Sequence, residues 1–129
     1  MTSERPLFIL IDDDPIHNAI SSMTIKNVIA NVEVVVFSDP KSGLDFLNEE
    51  FASHESDSVV LLLNLNMPFM SGWEFLEQFS GLSSEIQERI RVYLLSASIR
   101  QSDQAKAGDS KWVRGYLIKP LSVEGLMAL

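Results

Sequence analysis

Five apolar runs alternate with segments in which apolar residues have helical spacing. The runs cover residues 7–11, 32–37, 59–63, 92–95 and 116–118, and the second of them is mostly β-branched. Short apolar runs of this kind are typical of strands buried on both faces, as in parallel sheets. The pattern therefore predicts five strands in a chain of 129 residues, which is the size of one domain.

Helix signals follow the predicted strands. Asp14-Pro15 and Asp39-Pro40 each place a capping residue before a proline at the first helical position, and the first helix is expected to run to about Val28. A loop is predicted over residues 67–72. The remaining helix signals are the stripe Leu44, Leu47 and Phe51, the stripe Trp73, Leu76 and Phe79, a short polar helix from Ser102 to Ala107 before Gly108, and a last helix capped by Ser122.

Strands that alternate with helices predict an α/β fold, a doubly wound five-stranded parallel sheet with helices on both faces. Residues 1–129 are expected to form a single domain. The last helix has only about two turns between Ser122 and Leu129. Because that is short for a helix covering a sheet, the sequence leaves open that the last helix is truncated.

Composition narrows the function classes. A hydrophobic content of 46% indicates a globular chain, and a net charge of −8 argues against binding to nucleic acid or to an anionic membrane. The chain has no cysteine, and no apolar stretch approaches the roughly 20 residues of a membrane span. These features predict a soluble cytoplasmic protein.

Polar residues follow four of the predicted strands, and open parallel sheets place their sites beyond those strand ends. Asp12 and Asp13 follow the first strand, with Asp14 as the expected helix cap. Adjacent carboxylates repel each other, and oxygen ligands without His or Cys favour Mg²⁺. The others are Asn64 and Asn66 near the third strand, Ser96-Ala97 after the fourth, and Lys119-Pro120 after the fifth.

This order of residues resembles the receiver domain of bacterial response regulators, the CheY-like family, from Leu7 to the start of the last helix. The resemblance implies the flavodoxin-like strand order 2-1-3-4-5 and a role in a two-component phosphorelay signalling system. It implies a signalling module and not an enzyme. The implied partner is a sensor histidine kinase or a phosphotransfer protein.

The resemblance also implies a role for each polar residue. Asn64 stands at the phospho-acceptor position. The metal ligands correspond to Asp12, Asp13, Asn64 and the backbone carbonyl of Asn66; the phosphoryl contacts correspond to Ser96, Ala97 and Lys119; the switch aromatic corresponds to Tyr116, and a cis peptide bond precedes Pro120.

Asn64 departs from the family pattern, in which this position is an aspartate that takes the phosphoryl group. An amide is a far weaker nucleophile than a carboxylate, so the usual phosphorylation should fail here. One fewer negative charge should also weaken Mg²⁺ binding without abolishing it. Lys119, deprived of its acceptor partner, is expected to turn toward Asp12 or Asp13.

Three explanations of Asn64 stay open. The chain is a natural pseudo-receiver that works through partner contacts, or a variant with an altered acceptor, or a receiver whose acceptor has shifted to a side chain such as Asp13.

Two enzyme-like or carrier functions compete with the receiver. A haloacid-dehalogenase-like Mg²⁺-dependent phosphatase would use Asp12 and Asp14, but only Glu124 follows Lys119 where a later acidic pair is needed. A flavin carrier would need a phosphate loop after the first strand, and the acidic triplet would repel a phosphate. A phosphate-independent interaction module is a third alternative, and it overlaps with the pseudo-receiver.

Receivers usually dock partners, or form homodimers, through the fourth helix, fifth strand and fifth helix, or dock through the first helix. His17 and His54 are expected to be exposed and receive no role. The candidate contact residues on the former face are Ile99, Arg100, Trp112, Arg114 and Tyr116, although Trp112 is also explained by packing.

Overall fold

A computed structural model describes residues 5–56, 58–98 and 100–129. Its strands form one parallel sheet in the order β2-β1-β3-β4-β5, which confirms the predicted fold class and strand order. The strands are β1 (Leu7–Ile11), β2 (Glu33–Phe37), β3 (Val59–Asn64), β4 (Ile90–Ser96) and β5 (Val113–Ile118).

Helices connect the strands, and their starts follow the sequence signals. Asp14 accepts hydrogen bonds from the backbone of the first helix, Asp39 does the same for the second, and a proline follows each cap. The helices are α1 (Pro15–Val28), α2 (Pro40–Glu49), α3 (Gly72–Phe79), α4 (Ser84–Arg89), α5 (Gln101–Asp109) and α6 (Val123–Met127).

The helix α4 was not predicted, and it makes the described residues a six-helix chain where five helices were expected. It spans only Ser84–Arg89 and is mostly polar, so it has no apolar stripe. Ser83 caps it and Ile86 buries against the core. Phe51, which was placed in the stripe of the second helix, lies in a separate 3₁₀ turn, Phe51–Ser53. The predicted fourth and fifth helices are therefore α5 and α6.

The sheet separates two layers of core. One layer packs against α2, α3, α4 and α5, and the other against α1 and α6. Adjacent residues of β3 alternate between them, since Leu61 belongs to the first layer and Leu62 to the second. All six residues of β3 are buried, as its apolar run predicted.

The first helix is oriented with polar side chains inward. His17, Asn18 and Ser21 are buried, whereas Ile16 and Met23 are 72% and 65% exposed. The usual amphipathic pattern is therefore reversed over the first part of α1. This orientation brings the start of α1 to the carboxyl end of β1, where polar partners are available.

Backbone hydrogen bonds hold the segments that follow the strands. Leu65 N–H donates to Leu95 C=O at 2.9 Å, and Lys119 N–H donates to Ser96 C=O at 2.7 Å. A Cβ at Gly72 would lie 3.0 Å from the carbonyl oxygen of Asn64 and from Leu65 Cα. The missing side chain at Gly72 therefore lets α3 begin against the end of β3.

No helix in the described part of the chain is long and apolar enough to cross a membrane.

Candidate functional site

The carboxyl ends of β1, β3, β4 and β5 bring the predicted polar residues to one edge of the sheet. Asp12, Asn64 and Ser96 are buried there, while Asp13 and Asn66 are exposed. The site is thus a cleft with a buried floor and an open acidic rim.

Asn64 lies at the centre of this cleft and points its amide nitrogen at three oxygen atoms. Nδ2 lies 3.1 Å from Asp12 Oδ1, 3.0 Å from Asp13 Oδ1 and 3.0 Å from the backbone oxygen of Asn66. Carboxylate and carbonyl oxygens only accept hydrogen bonds, so the nitrogen and not the amide oxygen must face them. The two N–H groups are shared among three acceptors.

Asp12 has both carboxylate oxygens occupied. Oδ1 accepts from Asp14 N–H at 3.0 Å and from the Asn64 amide, and Oδ2 lies 2.8 Å from Lys119 Nζ and 2.8 Å from His17 Nδ1. Four donors therefore meet the roughly four acceptor positions of a carboxylate. Because the side chain is almost fully buried, these bonds compensate the loss of its hydration.

Lys119 pairs with one of the two carboxylates predicted for it. Its ammonium reaches Asp12, and its side chain keeps 18% of its surface exposed. The peptide bond between Lys119 and Pro120 is cis, the geometry that the resemblance implies. Lys119 therefore supplies a positive charge at the floor of the cleft.

His17 was predicted to be exposed and without a role, and this was wrong. It is buried, and its ring joins the Asp12 carboxylate. An ionised carboxylate has no hydrogen to give, so Nδ1 must carry the hydrogen. Asn18 adds a second contact, since its amide donates to the backbone oxygen of Asp12 at 2.8 Å. Both residues follow the Asp14 cap within one turn, which was the signal that could have pointed to them.

His54 was also predicted to be exposed, and it is partly buried instead. Its ring centroid lies 5.4 Å from that of Phe46 and 6.4 Å from that of Phe51, on the side of the molecule that follows α2. His54 therefore packs at the surface of the core and takes no part in the cleft.

Ser96 lies beside the central network. Its hydroxyl donates to the backbone oxygen of Ser98 at 2.7 Å, and the Asn66 side chain reaches it at 3.4 Å. Ala97 follows and is exposed. Among the described residues, Asn66 links Ser96 to the amide of Asn64.

Tyr116 lies apart from this network, on an edge strand whose side chains alternate between partly buried and exposed. It is 40% exposed on β5, next to exposed Arg114. Trp112 is half-buried, and its ring packs edge-on against Phe79 with centroids 5.6 Å apart. This contact favours the packing explanation of Trp112. Ile99 lies outside the described residues.

The oxygen atoms around Asn64 have the right chemistry to hold Mg²⁺. Asp12 Oδ1, Asp13 Oδ1 and the Asn66 carbonyl converge on one point, and all three are hard oxygen ligands. That point holds the Asn64 nitrogen. Among the described residues, no group of three or more His, Cys, Asp or Glu side chains is placed to hold a metal ion. The Asn64 amide thus occupies the point at which these oxygens would hold a divalent cation.

Asp14 is used as a helix cap, as predicted. Its Oδ1 accepts from the backbone of Ile16 at 3.0 Å and of His17 at 3.4 Å. The carboxylate is exposed and turned toward the helix. This geometry counts against the Asp12 and Asp14 pair that a haloacid-dehalogenase-like phosphatase would need.

Comparison with known proteins agrees with the geometry. The family model for the response regulator receiver domain matches residues 8–129. A probable methanogenesis regulatory protein, FilR2 of Methanothrix harundinacea, is 31% identical over 127 residues, covering 98% of this chain and 80% of the relative.

Two solved structures give the same result. A two-component response regulator from Cytophaga hutchinsonii is 30% identical with a TM-score of 0.86, covering 98% of this chain and 94% of that one. A response regulator receiver protein from Dyadobacter fermentans is 26% identical with a TM-score of 0.83, covering 95% and 92%.

Proposed function

The chain belongs to the response regulator receiver domain family, and on that premise we propose that it signals through protein contacts without accepting a phosphoryl group on Asn64. The observation that carries the proposal is the direction of the Asn64 amide. Its nitrogen faces the cleft and donates hydrogen bonds to Asp12 and Asp13. An amide nitrogen is a poor nucleophile toward phosphorus, because its electron pair is delocalised into the carbonyl group.

We propose that the remaining site residues form a phosphoryl pocket. We assign the phosphoryl contacts of an active relative to Ser96, Ala97 and Lys119, and the switch aromatic to Tyr116. Support comes from the shared edge of the sheet and from the Lys119 ammonium at the floor of the cleft. On this proposal, restoring a carboxylate at position 64 restores the chemistry.

Members of this family interact with histidine kinases or phosphotransfer proteins, and we propose that such a partner docks on α1. The outward side of the helix carries an apolar stripe, Ile16, Ile20 and Met23, whose members are 72%, 45% and 65% exposed. Phe69, 98% exposed, lies in the loop after β3 at the same edge of the sheet. Exposed apolar groups beside a cleft are typical of protein contact sites.

The family typically binds Mg²⁺ at the acidic pocket, and we propose that Asn64 weakens this binding here. Two carboxylates attract a cation less than three do. When bound, the ion would neutralise charge on the phosphoryl oxygens, and Asp12, Asp13 and the Asn66 carbonyl would hold it.

Self-association through the face formed by α5, β5 and α6 stays a prediction that sedimentation analysis can test.

The proposed function is tested by exposing the protein to acetyl phosphate and Mg²⁺ and measuring intact mass. We expect no phosphoryl adduct on the native chain and one adduct on the Asn64→Asp variant, because only the variant has a carboxylate at position 64. The double variant Asn64→Asp with Lys119→Ala is the matched control and should be labelled less. An adduct on the native chain would contradict the proposal, and peptide mapping to Asp13 would identify a shifted acceptor.

A further inference from the structure

We propose that the Asn64 amide takes the place of the divalent cation in this cleft, so that the chain holds its acidic residues together without metal. The inference rests on the proposed assignment of Asn64 to the acceptor position and extends it. It gives a role to the amide nitrogen that lies where three suitable oxygen ligands converge.

The amide nitrogen contacts the very oxygens that the family assigns to the metal. These are one oxygen each of Asp12 and Asp13 and the backbone oxygen of Asn66, at 3.1, 3.0 and 3.0 Å. The N–H groups carry partial positive charge, and bonds to carboxylates are the stronger, charge-assisted kind. The amide therefore binds the three oxygens as a cation would, at hydrogen-bond distance.

Charge balance favours this arrangement. An aspartate at position 64 would place a third carboxylate beside Asp12 and Asp13, near the ammonium of Lys119. Repulsion among three carboxylates favours the binding of a cation. With the amide, Lys119 pairs with Asp12 and the Asn64 nitrogen donates to both Asp12 and Asp13, so less repulsion remains for an ion to relieve.

Mg²⁺ binding should therefore be weakened by more than the absence of a carboxylate charge at position 64 alone implies. The ion must displace the amide and break its bonds to Asp12 and Asp13 before it can coordinate them. An alanine at position 64 has the same charge as asparagine but no N–H groups. Asn64→Ala consequently separates the effect of charge from the effect of amide occupancy.

The test is an Mg²⁺ titration of the native chain, Asn64→Ala and Asn64→Asp, followed by melting temperature and calorimetry. Sodium chloride at matched ionic strength controls for screening. We expect Asn64→Ala to bind Mg²⁺ about tenfold tighter than the native chain, because no charge-assisted hydrogen bonds must be broken. We also expect a given Mg²⁺ concentration to raise the melting temperature of both variants more than that of the native chain. Equal Mg²⁺ affinity for the native chain and Asn64→Ala would overturn the inference.

A second measurement uses only the native chain, so it does not depend on any variant being able to fold. The side-chain amide of Asn64 gives a resonance in ¹⁵N-labelled native protein, which we expect to stay unchanged as Mg²⁺ is added to concentrations that saturate other receivers of the family. A shift of that resonance on Mg²⁺ addition would mean that the ion displaces the amide, and would overturn the inference.

The two proposals fail on different readouts. If the native chain is not labelled by acetyl phosphate but binds Mg²⁺ as tightly as Asn64→Ala, the inference about the amide is wrong and the proposed function still holds. A native chain that gains a phosphoryl adduct loses the proposed function, whatever its Mg²⁺ affinity.

Discussion

His17 connects the first helix to the buried carboxylate of Asp12. Its Nδ1 lies 2.8 Å from Asp12 Oδ2, and its Nε2 is buried with no hydrogen-bond partner among the described residues. The ring therefore has one strong bond, to a charged acceptor, and otherwise packs. Such a bond contributes more to stability than a bond between neutral groups.

Replacing His17 with alanine should lower the free energy of unfolding by about 2 kcal/mol, because a buried carboxylate loses one of its donors. Asn27, exposed on the same helix, provides the matched control Asn27→Ala, which should change stability by about 0.5 kcal/mol or less. Urea denaturation of the three proteins measures both effects. Equal stability of the two variants would count against a structural role for His17.

The residues that meet in the cleft were predictable, but their contacts were not. Asp12, Asn64 and Lys119 each follow an apolar run, and parallel topology brings strand ends together. Nothing in the sequence shows which atom of Asn64 turns inward, since that depends on acceptors brought from other strands. His17 was missed for the same reason, because its partner lies on the strand end and not on its own helix.

The reversed polarity of α1 belongs to the scale of the element. Ile16, Ile20 and Met23 have helical spacing and would be assigned to a core by pattern alone. They face outward because the opposite side delivers His17 and Asn18 to Asp12. Hydrogen bonds to a buried carboxylate and its backbone thus decide how the start of this helix is rotated.

If the apolar stripe of α1 docks a kinase, its loss should slow transfer between proteins and leave the chemistry intact. In the Asn64→Asp background, adding Ile16→Gln and Met23→Gln should reduce phosphotransfer from a phosphorylated sensor histidine kinase about tenfold. Labelling by acetyl phosphate should stay unchanged, because that donor needs no docking surface. Rapid-quench measurement of both reactions compares them directly.

Ile118 provides the control for this experiment. It is 50% exposed on β5, on the face otherwise used for docking in the family. Ile118→Gln should leave phosphotransfer from the kinase unaltered. If Ile118→Gln slows phosphotransfer from the kinase and the α1 variant does not, the docking surface lies on α5, β5 and α6.

Element boundaries were predictable where capping chemistry marked them. The Asp-Pro signals placed the starts of α1 and α2, because a capping carboxylate and a fixed proline φ act locally. The helix α4 escaped detection because six mostly polar residues cannot show a stripe. Its stability depends on tertiary contact through Ile86, which a local pattern does not reveal.

At the scale of the molecule, the sheet divides the core unequally. The layer under α2, α3, α4 and α5 contains more of the buried side chains in the described ranges than the layer under α1 and α6. The second layer is closed in part by α6, a helix of five residues that packs against α1. A thinner layer beneath a short helix can collapse more readily around a lost side chain.

Leu61 and Leu62 form a matched pair for testing this difference, since both are at most 1% exposed and they face opposite layers. Truncation to alanine should destabilise the protein by roughly 2–5 kcal/mol in each case. We expect Leu61→Ala to lie at the upper end, because its larger layer has less freedom to relax. Chemical denaturation resolves the two variants, and a costlier Leu62→Ala would contradict the expected order.

The fold class followed from periodicity, whereas the strand order came from the resemblance. Apolar runs report burial on both faces, so a parallel sheet could be inferred from residues such as those of β3. Strand order depends on contacts between distant segments, for example Leu63 beside Leu94, which no local pattern contains.

The hydrogen bonds from α1 to Asp12 and the exposed apolar stripe of α1 lie on opposite sides of the same helix. His17 and Asn18 form hydrogen bonds to Asp12 on one side of the helix. Ile16 and Met23 are exposed on the other side, where a partner can bind. A partner that displaced α1 slightly would also displace these donors from the Asp12 carboxylate, without any covalent modification of the protein. The same helix therefore carries both the donors that hold Asp12 and the surface proposed for the partner.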